Sequence, residues 1–333
     1  MTYNMASELA PHFHGMRIAD TSERDAVGWI RPFTKLRRSA RAWWWIPRMD
    51  AVYISVNTGH GMWLTTVAAG LARLAGVQIF LHHHSYAYLR ERKIRMVALT
   101  RAAGPQAHHI VLSQSMAGDL TSVMPEIRRP LVIGNAAFID RALLDLPLKA
   151  DGDDLVFGHL SNLSRDKGIA EVVDLALALN RSGTQARLLV GGPTVDGASR
   201  LHLDRAAREL GGLFEYRGQL TGESKHAFFE EITHFMFPSR YHHEAVPLVL
   251  YEAMAAGVIC VATGQGSIAE QLDGSPSVLT ASADSFVEEA RRALMGASVS
   301  TSSSRESRQA YLHALAESEM QLAVMIALLA KQL

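Results

Sequence analysis

The run Phe237-Pro-Ser-Arg-Tyr-His-His-Glu244-Ala-Val-Pro247-Leu-Val-Leu-Tyr-Glu252-Ala-Met-Ala-Ala-Gly257 decides the fold. Phe235-Met-Phe237 leads into it as a short apolar strand, and a polar loop follows. Pro247 suits the first position of a helix and Gly257 the residue past its end. Val258-Ile-Cys-Val-Ala262 is then a second, continuously apolar strand. Strands buried on both faces and joined by helices belong to parallel sheets. The loop therefore delivers a helix N-terminus to the carboxyl edge of such a sheet, where free backbone N–H groups favour an anion, typically a phosphate. Glu244 stands just before this helix and Glu252 about one and a half turns inside it, among Leu248, Val249, Leu250, Ala253 and Met254. A carboxylate on so apolar a helix needs partners, because burying it alone is costly; sugar and ribose hydroxyls are suitable donors. Spacing by itself leaves open a plainer reading, an acid complementing the helix dipole and an exposed helical Glu.

Working outward, the same alternation runs through the chain. Strands are expected at 51–56, 77–81, 110–113 and 131–133, with a helix at 64–75 ending at Gly76. Residues 149–154, Lys-Ala-Asp-Gly-Asp-Asp, read as a polar linker. Alternation restarts with strands at 155–157, 187–190 and 214–217 and helices at 169–180, 200–210 and 223–231. The Ser/Thr-rich residues 298–304 read as a loop before a last helix around 311–333. The chain is thus expected to be α/β, with two Rossmann-like, doubly wound parallel-sheet domains. They are placed at 1–150 and 151–310, with a C-terminal helix at 311–333 packing back on the first.

Composition narrows the classes. The 333 residues are 48% hydrophobic and 20% charged, which excludes a disordered chain or a coiled-coil rod. One cysteine, Cys260, excludes a disulfide framework and multi-cysteine metal sites, and suits a reducing, cytoplasmic compartment. A run of ~18 uncharged apolar residues, the mark of a membrane-spanning helix, is not expected anywhere in the chain. The zero net charge conceals +8 in residues 1–150 and −8 in residues 151–333. Residues 31–48 hold Arg31, Lys35, Arg37, Arg38, Arg41 and Arg48, no acid, and Trp43, Trp44 and Trp45. Cations beside indoles suit an anionic membrane surface, at about 1 kcal/mol per cation. The plainer reading is a solvated face with indoles in the core. A second cluster, Arg90, Arg92, Lys93, Arg95 and Arg101, faces only Glu91. No nucleic-acid motif accompanies either cluster.

The decisive run resembles the Glu-x7-Glu signature of the retaining glycosyltransferases of family 4 (glycosyl transferases group 1), which have the GT-B fold. Leu160-Ser-Asn-Leu-Ser-Arg-Asp-Lys167-Gly168 resembles that family's Gly-Arg-Leu-x-x-x-Lys-Gly loop, and Leu189-Val-Gly-Gly-Pro193 its middle strand and turn. Gly264-Gln-Gly-Ser-Ile-Ala-Glu270 is similar to its Gly-Gly-x-x-Glu element, and Val132-Ile-Gly-Asn135 to the segment closing its first domain. The resemblance spans about residues 50–275. It implies two domains facing across a cleft and transfer of a sugar from a nucleoside-diphosphate sugar, UDP- or GDP-linked, to a glycan or lipid-linked acceptor. Neither a metal nor a resident cofactor is implied. By resemblance, Glu252 binds the ribose, Glu244 the donor sugar, and the backbone of Ala245, Val246, Pro247 and Leu248 the phosphates or sugar hydroxyls. Lys167 neutralises the departing diphosphate, as such a transition state requires.

The chain also departs from the family. Asn162 stands where the family has a second diphosphate-binding Arg, with Arg165 as the candidate substitute. The family's first strand and Gly-rich loop have no counterpart before residue 51, so the first domain is expected to lack its first strand. His82, His83 and His84 end a strand; neighbours on a strand point to opposite faces, which disfavours one shared metal ion. The family carries a His here near the reacting sugar, and His84 is the first candidate, His83 the second. His242 and His243 are expected near the donor. Two other classes stay in view: a noncatalytic glycosyltransferase-like scaffold for a membrane assembly, and a sugar-nucleotide epimerase. The expected location is cytoplasmic, peripheral at the inner membrane face through residues 31–48.

Overall fold

A computed structural model describes residues 2–12, 15–20 and 31–330, with the backbone alone for 2–4 and 31–33. The Arg31 side chain of the basic run and residues 331–333 of the last helix lie outside the described residues. The chain divides into two units, Met1–Phe138 with Ser318–Leu333, and Ile139–Glu317.

The first unit holds one parallel sheet in sequential order: β1 (Ala51–Ser55), β2 (Gln78–His82), β3 (His108–Val111) and β4 (Leu131–Val132). Helices α1 (Thr2–Leu9) and α2 (Arg31–Trp43) precede it, and α3 (Met62–Leu74), α4 (Ile94–Ala103) and α5 (Gln114–Val123) connect its strands. Among the described residues no strand precedes β1, which lies at an edge of the sheet. Phe80, Leu81, Ile110 and Val111 are fully buried, as central strands of a covered parallel sheet require.

The second unit holds six parallel strands: β5 (Leu155–Leu160), β6 (Ala186–Gly191), β7 (Phe214–Tyr216), β8 (His234–Phe237), β9 (Ile259–Thr263) and β10 (Val278–Thr280). Their order is β10-β9-β8-β5-β6-β7. Helices α6 (Ile169–Arg181), α7 (Gly197–Leu210), α8 (Glu223–Glu231), α9 (Leu248–Ala255), α10 (Ile268–Gln271) and α11 (Phe286–Leu294) join them. Every residue of β8 and β9 is buried, which is why both read as unbroken apolar runs. On α6, Ile169, Val172, Val173, Ala176 and Leu179 form one stripe at helical spacing, fully buried against Phe157, Leu188 and Val190. Each such side chain contributes about 1.5–3 kcal/mol by its burial. The two parallel sheets give the expected fold class. β5 and β8 are neighbours although the chain visits β6 and β7 between them, so the strand order reverses there. Ligands of open α/β sheets bind at such a switch point, beyond the carboxyl ends of the strands.

Three local expectations are corrected. Residues 149–154 are not a free linker: the Lys149 ammonium is buried and donates to the carbonyls of Phe229 (2.7 Å) and Glu230 (2.8 Å). Burial lowers its pKa to about 8. The Ser/Thr-rich stretch is not all loop either. Helix α12 (Thr301–Ala330) starts inside it, ten residues before the expected 311. Ser300 Oγ accepts from the Ser303 N–H at 3.0 Å and Asp151 Oδ1 from the Thr301 N–H at 2.6 Å, so the serines act as helix caps. Finally, α12 is long and apolar enough, by length and composition, to cross a membrane, contrary to the sequence expectation. It carries buried Tyr311, Leu315, Leu322, Met325 and Leu329, and buried Ser304, Ser307 and Ser318 that donate to backbone carbonyls, while 28% of its most apolar stretch is buried.

Candidate functional site

Two loops meet at the switch point of the second unit. Residues 161–168 follow β5 and residues 238–247 follow β8. Gly168 makes their contact possible. It has φ +80°, and a Cβ there would stand 2.3 Å from the Pro238 carbonyl oxygen. The turn before it thus sits directly on the second loop and projects Lys167 toward it. Arg240 anchors that loop from the other side, donating to Glu171 at the start of α6 (2.6 and 2.8 Å) and to Asp284 (2.5 Å). The Thr263 hydroxyl holds the Ser239 carbonyl at 3.0 Å, and the Gln271 amide holds the Pro247 carbonyl at 2.9 Å.

Lys167 and Glu244 come together, Nζ to Oε2 at 2.5 Å, with side chains 24% and 12% exposed. Ser239 Oγ donates to the same carboxylate oxygen at 3.1 Å. The ammonium also lies over the Tyr241 ring, 5.1 Å from its centre. Helix α9 begins at Leu248, one residue later than expected; Pro247 is its N-cap, with an extended backbone. The Leu250 N–H donates to the Pro247 carbonyl at 3.2 Å, and helix geometry leaves the N–H groups of Leu248 and Val249 without an acceptor inside the helix. Ala245 and Val246 are buried, and Ala245 accepts from the Ser267 N–H at 3.4 Å. Gly257 ends the helix region at φ +69°, as its position in the sequence implies.

Glu252 is the fifth residue of α9. The partner its apolar surroundings demand is Lys225 of α8, Nζ to Oε1 at 2.8 Å. Sequence reading missed Lys225, since 27 positions separate the pair and no local pattern marks it. It also missed Ser239 and the pair His159–Ser161. His159 is fully buried, and burial lowers its pKa to about 4, so the ring is neutral. Its Nδ1–H donates to the Met236 carbonyl (2.9 Å), which leaves Nε2 to accept the Ser161 hydroxyl proton (3.0 Å). Ser161 therefore presents oxygen lone pairs, not a proton, at the end of β5.

Asn162 and Arg165 are exposed on the first loop. Arg165 is tied by its backbone N–H to Asp196 Oδ2 at 3.3 Å, which leaves its side chain at the surface. His242 Nδ1 meets the Gln265 amide at 3.2 Å, and His243 packs edge-on to Tyr241, 5.5 Å between ring centres.

In the first unit, His82 and His83 are fully buried. His82 Nδ1 meets the Tyr53 hydroxyl (2.5 Å); His83 bridges His109 (3.0 Å) and Tyr88 (3.2 Å). His84 lies on the His82 side, with ring centres 4.0 Å apart, and neither of its nitrogens has a hydrogen-bond partner. Burial pushes its pKa down to about 4, leaving a neutral ring with one donor and one acceptor unused. Among the described residues no group of three or more His, Cys, Asp or Glu side chains could hold a metal ion.

Comparison with known proteins fits this geometry. Residues 142–306 match the family model for glycosyl transferases group 1. EpsF of Bacillus subtilis (strain 168), assigned as a glycosyltransferase, is 26% identical over 272 residues, covering 77% of this chain and 67% of that protein. Among solved structures, Anabaena HepE in complex with UDP superposes with a TM-score of 0.66 at 17% identity, over 90% of this chain and 83% of that one. A sucrose-phosphate synthase from Thermosynechococcus elongatus gives 0.65 at 18% identity, over 94% and 82%. The Lys-Gly turn and both glutamates lie inside the matched residues, at the switch point of the second sheet. The chain thus carries a glycosyl transferases group 1 domain on the fold of the GT-B enzymes, and it is a glycosyltransferase.

Proposed function

We propose that the second unit binds a nucleoside-diphosphate sugar and that the enzyme transfers the sugar, with retention, to a glycan or lipid-linked acceptor. The Lys167–Glu244 pair at the switch point carries this reading. In glycosyl transfer the bond to the leaving diphosphate breaks as positive charge develops at the sugar ring. Lys167 exchanges Glu244 for the diphosphate and stabilises the charge that grows there, aided by the first-turn amides of α9. Glu244, released, accepts from donor-sugar hydroxyls, with Ala245, Val246, Pro247 and Leu248 shaping the floor. Glu252 accepts from the ribose. Asn162 donates an amide hydrogen in place of a cation, and Arg165 supplies the second charge at the rim. His84, a neutral ring with both nitrogens unused, positions acceptor and sugar. A uridine donor is favoured because HepE was solved with UDP and with UDP-glucose.

A thermal unfolding series with UDP, GDP, ADP and their common sugars tests this. A ligand at ~100 times its dissociation constant stabilises by about 2.7 kcal/mol. UDP stabilises the parent in this reading, and Glu252→Ala loses the shift. No shift with any nucleotide would refute the donor site.

We place the acceptor side at the cytoplasmic face of a membrane, through residues 31–48. The observation favouring it is that the indoles are not core residues. Trp44 is 68% exposed, and with Trp45, Arg37, Ala40 and Arg41 it lines a shallow groove of about 400 Å³. Arg48 and Arg17 lie over these rings. Replacing Arg37, Arg38 and Arg41 by Gln abolishes pelleting with anionic vesicles and leaves nucleotide binding intact; a triple variant that pellets like the parent would sink the membrane contact.

A further inference from the structure

The assignment of Glu252 to the ribose leaves a physical problem that Lys225 solves. Glu252 is 14% exposed and sits in the second half of α9, where the helix dipole disfavours an anion. Its flanking residues on the helix are apolar. A half-buried carboxylate there needs a counter-charge to stay ionised and fixed in place. Lys225, itself 20% exposed, supplies it at 2.8 Å.

The contact is one-sided. Lys225 engages Oε1 alone, and Oε2 has no protein partner among the described residues. A carboxylate has about four lone-pair sites, so three remain for a ligand. The lysine is also held on a firm base. The next residue, His226, meets Asp140 Oδ2 at 2.6 Å; Phe228 and Phe229 are fully buried; and Lys149 binds the last carbonyls of α8.

We propose that Lys225 is a positioning residue for the donor nucleotide. It clamps Oε1 of Glu252, so that the other oxygen faces the ribose diol in one fixed orientation. Selection for a ribose over a deoxyribose then depends on Lys225, although Lys225 does not touch the sugar. The inference rests on the ribose role of Glu252. A site built to receive a hydroxyl rejects the analogue lacking it, but only while its own acceptor is held in place.

The test is the ratio of UDP to 2′-deoxy-UDP affinity, measured by calorimetry for the parent, Lys225→Gln, Lys225→Met, Lys225→Arg and Glu252→Ala. The parent favours UDP by about tenfold or more. Both uncharged variants bring the ratio to within about threefold, and Lys225→Arg restores most of it, because Arg also donates to a carboxylate. A loss of packing alone would weaken both nucleotides equally and leave the ratio unchanged. If Glu252→Ala loses the preference and the uncharged Lys225 variants keep it, the role of Lys225 falls and the ribose reading stands. If Glu252→Ala keeps the preference, or the parent has none or binds no UDP, the ribose reading falls and the inference with it. Should one uncharged variant not fold, the other and the Arg rescue still decide.

Discussion

Removing the charge of Glu244 should tighten the binding of UDP while it destroys transfer. Lys167 is paired with Glu244 at 2.5 Å, and the ammonium must leave that carboxylate to reach a diphosphate. Nucleotide binding therefore carries the cost of breaking the pair. A hydrogen bond between charged groups is worth about 1.5–3 kcal/mol net. The side chains are 24% and 12% exposed, so solvent screens part of it; about 1–2 kcal/mol is the working figure. Glu244→Gln keeps the shape and an amide oxygen that still accepts from Lys167, and so releases about half of that. The expected gain is ~0.5–1 kcal/mol, or about twofold to fivefold tighter UDP. UDP lacks the transferred sugar, so the lost contact between Glu244 and that sugar does not enter this measurement. Turnover of the UDP-sugar, by contrast, falls by about two orders of magnitude, the scale of losing one oriented transition-state group. Lys167→Met moves UDP affinity the other way, by about tenfold or more, since a charge-assisted contact is lost outright. Calorimetry on the parent and the two single variants suffices. UDP binding weakened fivefold by Glu244→Gln would refute the exchange, because it would mean that the carboxylate helps to hold the diphosphate side.

Stability should fall as pH drops from 6.5 toward 5: burial lowers the pKa of His84, His109, His159 and His234 to about 4 each, so only the unfolded chain takes up protons there. Each opposes folding by up to ~2 kcal/mol at pH 5. A urea midpoint unchanged between pH 7.5 and 5.5 would contradict this, and His234→Leu should remove about one proton from the dependence. Gly168→Ala should cost more than ~2 kcal/mol and weaken UDP binding, since its Cβ meets the Pro238 carbonyl and no rotamer relieves that contact. Gly183→Ala is the control: φ is +87° but the space is open, so only about 1 kcal/mol of backbone strain is added and nucleotide binding is unchanged. Equal behaviour of the two alanines in urea melts and UDP titrations would remove the close approach of the two loops as an explanation.

What the sequence made legible was whatever is written locally. β8, β9 and the helix between them could be placed because strands buried on both faces are apolar without interruption, and because Pro247 and Gly257 bracket α9. The Lys167-Gly168 turn and the two glutamates could be placed by order and spacing. Illegible features depend on partners far along the chain. Lys149 looks like a linker cation until α8 supplies two carbonyls for it. Ser304 looks like a loop residue until the carbonyl of Gly257 takes its hydroxyl proton. Trp44 and Trp45 could equally have been core, because composition alone does not say which face of α2 is covered. Lys225 is the most consequential omission, since a charge on a mixed helix is ordinary until its partner is known.

The ion pairs Lys167–Glu244 and Lys225–Glu252 answer a folding problem and a binding problem together. Glu244 and Glu252 are 12% and 14% exposed, and an unpaired carboxylate at that depth would oppose folding. Lys167 and Lys225 remove that cost and leave the four groups with no net charge. A neutral set of groups attracts an anionic donor poorly over distance, but it gains by exchange. In the proposed function, an arriving diphosphate compensates Lys167 and the sugar hydroxyls compensate Glu244, so no charge is stranded at any stage. The other pair need not open, because Glu252 has a second oxygen to offer. In the proposed function that asymmetry separates the roles: Lys167 moves with the reacting charge, while Lys225 stays fixed and holds a recognition group in place. It also bears on Asn162. With a second cation in that place, the two ion pairs would leave an uncompensated positive charge beside Lys167. With an amide there, the charge balance within the pocket closes, and the remaining cation, Arg165, is kept at the solvent rim, where an unpaired charge costs little.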